Sequence, residues 1–221
     1  MTIIAVVDTE TTGIEKSDCL IELATVRFDT EADLMIRYTS LFNPGVPIPP
    51  IASAIHHITD ADVATAEQFA AGNWQSATFS AAVLAAHTAD FDRTYLPNDA
   101  RPWICTYKCS MKQWPDAPSH TNQALRYWLA LQPDIAAAGY PHRALYDAIV
   151  TTELLKELLQ LLSIDELIER SSLPVLLPRV SFGKHRGQSW STVPKDYIAW
   201  LLRKDNLDAD VAYTAKHWAT K

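Results

Sequence analysis

Two carboxylates, Asp8 and Glu10, stand one residue apart at the end of the apolar run Ile3–Val7. In an extended strand, residues i and i+2 project to the same face. Both acids therefore point one way, and Thr9 between them points the other. Carboxylates held that close repel each other unless a positive group lies between them. Oxygen ligands of this kind suit a divalent cation such as Mg²⁺ or Mn²⁺. An acidic turn after a core strand would read the same way, so the pair amounts to a site only with further ligands.

Two other segments supply candidates. His87-Thr88-Ala89-Asp90-Phe91-Asp92 follows a short apolar strand and opens a helix, the place where α/β sheets carry functional groups. Asp90 and Asp92 lie about 200° apart on a helix, so one faces inward and the other is solvated; both also suit a plain acidic helix start. Pro141-His142-Arg143-Ala144-Leu145-Tyr146-Asp147 heads a long amphipathic helix. Asp147 falls on the border of its buried face, where a lone carboxylate is costly unless paired or metal-bound. On a continuous helix His142 and Asp147 would point about 140° apart. They converge only if His142 precedes the regular helix, which Pro141 favours. Alone, His142 fits a structural role as well as a catalytic one.

The elements that must position these groups follow from pattern. Strands are predicted over 3–8, 20–28 and 35–42, with a turn at Thr30–Asp33 between the last two. Residues 43–50 are a proline-rich loop. Thr59 caps a helix running to about Ala70. A strand at 82–86, a helix at 88–96 and a strand at 103–105 come next, then helical patterns near 107–114 and 122–129. Apolar residues recur at helical spacing from Ala144 to Leu162, and a short helix follows at 164–170. Strands mixed with helices indicate an α/β domain with a central sheet. The expected division is a domain over 1–170, a linker over 171–180 and a small basic module over 181–221. In that module Gly183 and Gly187 bracket a basic turn, Lys184-His185-Arg186, between two short strands. Helices follow from Pro194 and from Asp208, which makes an α+β appendage.

The chain has 221 residues, 48% of them apolar, and a net charge of −7. That balance argues against a protein that coats nucleic acid with a basic surface. The average conceals an asymmetry: from Arg179 onward the charge is +4, and the remainder carries −11. No apolar stretch approaches the roughly 20 residues that span a bilayer, and the first run is too short and lacks the basic flank of a secretory leader. A cytoplasmic location is expected, without a membrane. Cys19, Cys105 and Cys109 are odd in number and form no CxxC pair, so they read as free thiols.

Together these segments resemble the DEDD-type 3′–5′ exonuclease superfamily in its histidine-containing branch. The three motifs are Asp8–Gly13, His87–Asp92 and His142 with Asp147 five residues on; Ala54–Thr59 is similar to the segment that precedes the second motif. Trp103–Thr106, Pro141–Asp147 and Phe182–Gly187 look like segments of the exonuclease X group of bacterial enzymes. The resemblance covers about residues 1–165. It implies a ribonuclease H-like mixed five-stranded sheet flanked by helices. It also implies hydrolysis of nucleic acid from 3′ ends, DNA favoured over RNA, by two ions of Mg²⁺ or Mn²⁺. Asp8, Glu10, Asp92 and Asp147 would hold the metals and His142 would be the general base. Thr11, Ile14, His56, His87 and Phe91 would touch the terminal nucleotide. Two departures stand out: Thr88 where the family usually has Asn, and Asp90, an added acid beside Asp92. The basic C-terminal module fits either a grip on nucleic acid or a surface for a protein partner. An exoribonuclease with the same site and a non-catalytic adaptor that kept the fold are the competing readings.

Overall fold

The first apolar run becomes the central strand of a mixed sheet in the computed structural model, which describes residues 1–32 and 35–221. β1 (Ile3–Thr11), β2 (Leu20–Asp29) and β3 (Met35–Leu41) form an antiparallel meander. β4 (Val83–Ala86) and β5 (Trp103–Cys105) extend the sheet in parallel on the other side of β1, giving the order β3-β2-β1-β4-β5. The predicted turn over Thr30–Asp33 reaches Asp33, which lies outside the described residues. The helices of this unit are α1 (Pro50–His56), α2 (Asp60–Val63), α3 (Ala71–Ala77), α4 (Ala89–Tyr95), α5 (Thr106–Gln113), α6 (Asn122–Trp128), α7 (Ala144–Leu161) and α8 (Ile164–Ser172).

Alternation along β1 divides the core between the two faces of the sheet. Ile4 and Val6, with Ala24 and Val26 of β2, pack against Ala148, Ile149 and Leu155 of α7. Ala5 and Val7, with Leu84 and Ala86 of β4, pack on the other face against Trp74 of α3 and Ala89 of α4. The polar end of the strand inherits this division: Asp8 and Glu10 continue the α7 face, and Thr9 continues the α4 face.

Two helical stretches differ from the sequence reading. α1 is absent from it because seven residues are too few to show a period. The helix forms because Pro49 is extended and Pro50 occupies the first helical position, where a missing N–H costs nothing. The helix predicted from Thr59 to about Ala70 stops at Val63. Its start is sound, since the Asp62 carboxylate accepts from both the N–H and the hydroxyl of Thr59. Further on, the Glu67 carbonyl accepts from the Asn43 N–H at 2.9 Å, which keeps that backbone out of a helix until Ala71.

Contacts divide the chain into two units, Met1–Ser171 and Ser172–Lys221. The second has its own small core, in which Trp190, Ile198, Leu201, Val211 and Ala215 are buried. It is built on α9 (Lys195–Leu201) and α10 (Ala209–Ala219). Asp208 caps α10 by accepting from the Asp210 and Val211 N–H groups, each at 3.0 Å. The two strands predicted around the Gly183–Gly187 turn reduce to one bridge, Arg179 with Ser189. The turn is too tight for a ladder: the N–H of Gly187 folds back onto the Val180 carbonyl, and residues 183–185 form a 3₁₀ turn. The unit thus combines two helices, short 3₁₀ turns and a single antiparallel bridge. The segment 171–180 is shared out. Ser171 and Ser172 close α8, whereas the Val175 and Leu177 N–H groups donate to Asp210 and Thr214 of α10. Among the described residues no helix is long and apolar enough to cross a membrane.

Candidate active site

A bulge between Glu10 and Thr11 shifts the pairing of β1 with β2, so the strand bends just where its side chains turn acidic. Asp8 and Glu10 there meet Asp147, from the first turn of α7; each offers an oxygen, and the three lie within 4.8 Å of one another. Asp92 stands outside this group of three but lines the same cleft, a cavity of about 320 Å³ whose walls also include Thr9, His87, Thr88, Phe91, Tyr107, Thr121, Asn122 and His142. Asp92 arrives from the α4 face, and the Thr9 hydroxyl donates to its Oδ1 at 2.9 Å. Thr9, turned away from its acidic neighbours, thereby fixes an acid on the other side of the sheet. Asp90 projects outward instead, toward Arg93 at 3.8 Å and Lys108 at 3.3 Å.

The first turn of α7 is assembled around Asp147. His142 has a φ of +65°, a conformation that points its N–H back to Asp147 Oδ2 at 2.8 Å. Gln123 and Asn122 of α6 donate to Oδ1 at 3.2 and 3.4 Å. His142 therefore sits ahead of the regular helix, and the angular conflict of a continuous helix does not arise. Arg143 is tied down in turn. Its Nη2 and Nε donate to Glu22 at 2.7 and 3.0 Å, and Glu22 Oε2 also accepts from the Ala144 N–H at 3.0 Å. Glu22 lies directly across β2 from Glu10.

Packing four acids so closely changes their protonation. Burial, then repulsion from Asp92, Asp147 and Glu10, pushes Asp8 well above the usual carboxylate range. Burial, with Glu22 and Asp147 adding to it, raises Glu10 to about 9, against a small opposing pull from Arg143. Asp92 is raised to about 7 by burial, with the Thr9 hydrogen bonds working the other way. Burial also raises Asp147, opposed by its bond from His142. A cluster that holds its protons because nothing positive offsets it is the donor set a divalent cation fits.

The metal-free protein is accordingly expected to lose stability as pH rises. Unfolded carboxylates release their protons near pH 4, whereas folded Asp92 and Glu10 keep theirs up to about 7 and 9. Between those limits the native state binds more protons, so stability falls with pH. Melting curves in EDTA from pH 5 to about 9 should slope downward, and added Mg²⁺ should lift the alkaline end most. A flat curve in EDTA would contradict the clustering. Thr9 gives a second test. Thr9→Val should weaken Mn²⁺ binding by about 10–100-fold in calorimetry, while Thr9→Ser keeps it. Equal affinity in the valine variant would mean that Asp92 does not depend on Thr9.

The remaining residues proposed from sequence are placed differently. Both ring nitrogens of His87 are engaged, Nδ1 with the Thr106 hydroxyl and Nε2 with the His120 carbonyl, each at 2.9 Å. A carbonyl only accepts, so Nε2 carries the proton. Burial lowers this histidine to about 4, and the neutral ring braces the wall of the cleft with no nitrogen left for a ligand. Phe91 lines the cleft. Thr11, His56 and Ile14 do not. The Thr11 hydroxyl donates to the Gly13 carbonyl. His56 is buried and its Nδ1 accepts from the Ile58 N–H at 3.0 Å. Ile14 is 81% exposed. Sequence reasoning missed Glu22, Arg143, Asn122 and Gln123. Glu22 did carry a signal, as the one acid within the otherwise apolar start of β2; the two α6 residues carried none.

Comparison with known proteins places this geometry among characterised chains. The family model RNase_T, described as Exonuclease, matches residues 5–155. Exodeoxyribonuclease 10 of Escherichia coli (strain K12) is 30% identical over 226 aligned residues, spanning 96% of this chain and 97% of the relative. DNA polymerase III subunit epsilon of Treponema pallidum (strain Nichols) is 32% identical over 160 residues, 66% of this chain and 72% of the relative. Among solved structures, exonuclease X in complex with 5′-overhanging duplex DNA matches with a TM-score of 0.68 at 30% identity, covering 76% of this chain and 99% of that one.

Proposed function

The chain belongs to the exonuclease family, and on that premise we propose that it hydrolyses DNA from 3′ ends, releasing 5′-mononucleotides by a two-metal mechanism with His142 as general base. The observation that carries the reading is the convergence of Asp8, Glu10 and Asp147 oxygens within 4.8 Å, while Arg143, the cation that eases Glu10, is tied to Glu22. Asp8, Glu10, Asp92 and Asp147 would hold two divalent cations, Mg²⁺ or Mn²⁺. Such ions, when bound, activate water and stabilise the charge that builds on a departing oxygen.

The chain's own residues orient the reaction. His142 is exposed on the loop ahead of α7 and faces the cleft; its imidazole takes the proton of the attacking water at a ring nitrogen. Its backbone fixes Asp147 at the same time, so one turn places both the base and a ligand. Phe91 offers an aromatic face to the terminal sugar or base. By family resemblance Thr11, His56 and Ile14 would reach the terminal nucleotide from outside the cleft, with exposed Ile14 as an apolar wedge; His87 braces the cleft wall through Thr106 and His120. DNA is taken as the substrate because a relative matched over 96% of the chain is named an exodeoxyribonuclease and a matched structure is bound to duplex DNA. The three cysteines are free, which suits the cytoplasm as the working compartment.

Matched DNA and RNA strands of one sequence, incubated with Mn²⁺, test the substrate. DNA is expected to be degraded at least about tenfold faster, within the roughly 10²-fold by which a pocket rejects an analogue that adds a hydroxyl. RNA at parity or faster would favour an exoribonuclease. Degradation of neither, with no uptake of Mg²⁺ or Mn²⁺, would leave an adaptor that kept the fold.

A further inference from the structure

The unit Ser172–Lys221 carries a second constellation, separate in sequence from the hydrolytic residues. Lys184 Nζ lies 5.2 Å over the ring of Tyr197. The His185 ring meets the same tyrosine at 4.4 Å. Tyr197 stacks on Trp200 at 5.2 Å with an interplanar angle of 30°, and Lys204 Nζ lies 4.5 Å over Trp200. Two rings of α9 are thus flanked by cations from the turn before it and from the segment after it.

The turn is shaped for this display. Gly183 and Gly187 have φ of +62° and +85°, a region side chains other than glycine rarely adopt. A Cβ at Gly183 would also come within 3.1 Å of the Tyr197 hydroxyl. Between them Lys184 and Arg186 are exposed. Among the described residues, neither these two nor Lys204 has a carboxylate partner. A lysine held over a π face stays positively charged, and the attraction positions its ammonium beside the ring. Trp200 is 42% exposed, and the whole segment from Arg179 carries +4 in a chain that is otherwise −11.

We propose that this cluster binds single-stranded nucleic acid, with Lys184, Arg186 and Lys204 on successive phosphates and Trp200 stacking against a base. Unpaired cations beside exposed aromatic rings are the combination that tracks a strand without reading its sequence. An acidic peptide would satisfy the cations but give the exposed indole no role. The inference rests on the exonuclease reading for its class of ligand, not for its residues.

Fluorescence anisotropy of the full chain with an oligothymidylate of about 20 nucleotides, in EDTA to prevent hydrolysis, tests it. The combined variant Lys184→Glu/Arg186→Glu/Lys204→Glu should bind at least about tenfold more weakly, with a salt slope shallower by about 2, since each phosphate contact on a single strand contributes roughly 0.7. Trp200→Ala should weaken binding about fivefold or more, and Lys184→Arg/Lys204→Arg should preserve it. A melting curve reads the fold of the charge-reversed variant; if it is unfolded, the Trp200→Ala and arginine variants carry the test. Unchanged binding in the charge-reversed or alanine variant would overturn the proposal. So would tighter binding of poly-glutamate than of the oligonucleotide, which would mark the surface as one for an acidic protein. If the parent chain binds the oligonucleotide as expected yet never hydrolyses it with Mn²⁺, the exonuclease reading fails and this one stands.

Discussion

Asp8→Asn is expected to reduce metal-dependent nucleotide release by roughly 10³-fold or more, while the metal-free variant melts at a higher temperature than the parent. Both effects have one origin. Asp8 is half-buried beside Asp92, Asp147 and Glu10; loss of solvent first, and then each of these acids, raises its proton affinity. Asparagine keeps the shape and removes a carboxyl that folding must hold protonated at a cost above about pH 4, so the metal-free fold gains stability. The same exchange removes an anionic ligand from the group that converges with Glu10 and Asp147, so the metal seat is lost. A residue that merely supported the fold would lower activity and melting temperature together. Opposite movements, read by turnover with Mn²⁺ and by melting in EDTA, identify a ligand. Near-parental turnover, or a lower melting temperature, would contradict the carboxylate cage.

His142→Ala should lower kcat by about 10²–10⁴-fold, the usual contribution of a positioned general base, with KM nearly unchanged. The side chain is exposed and faces the cleft, so its loss removes no core packing. The complication is the backbone. His142 has a φ of +65°, and its N–H holds Asp147, so alanine could loosen the ligand as well as remove the base. His142→Asn separates the two, because asparagine tolerates the left-handed region but is no base. Equal loss of kcat in both variants, with metal affinity kept, isolates proton transfer. A fall in metal affinity with unchanged turnover at saturating metal would assign His142 to positioning Asp147 instead.

Much of the site was legible because it rests on periodicities that sequence displays. Asp8 and Glu10 share a face because strands alternate, and the structure continues Ile4 and Val6 into them. Asp147 sits where the apolar spacing of α7 begins. The choice of Asp92 over Asp90 rests on family resemblance; in the structure Asp92 is buried and Asp90 exposed. What was hidden depends on contacts between distant segments. Thr9 looked like a spacer, because nothing local says that α4 brings Asp92 beneath it, 83 residues on. His87 looked like a ligand contact, because its partners Thr106 and His120 come from elsewhere in the chain. The role of Glu22 requires knowing that β2 pairs it opposite Glu10 and that α7 delivers Arg143 to it. In the second unit, the glycines bracketing Lys184–Arg186 suggested a turn between two short strands, and the structure has a single bridge there.

The central claim, that these acids and His142 hydrolyse DNA from its 3′ end, is tested most directly by one strand labelled at either terminus. With Mn²⁺ present, a 3′ label should appear at once as free mononucleotide. A 5′ label should remain on a strand that shortens one residue at a time, and EDTA should stop both. Release of a 5′ label first, cuts within the strand, or the same time course in EDTA would contradict it.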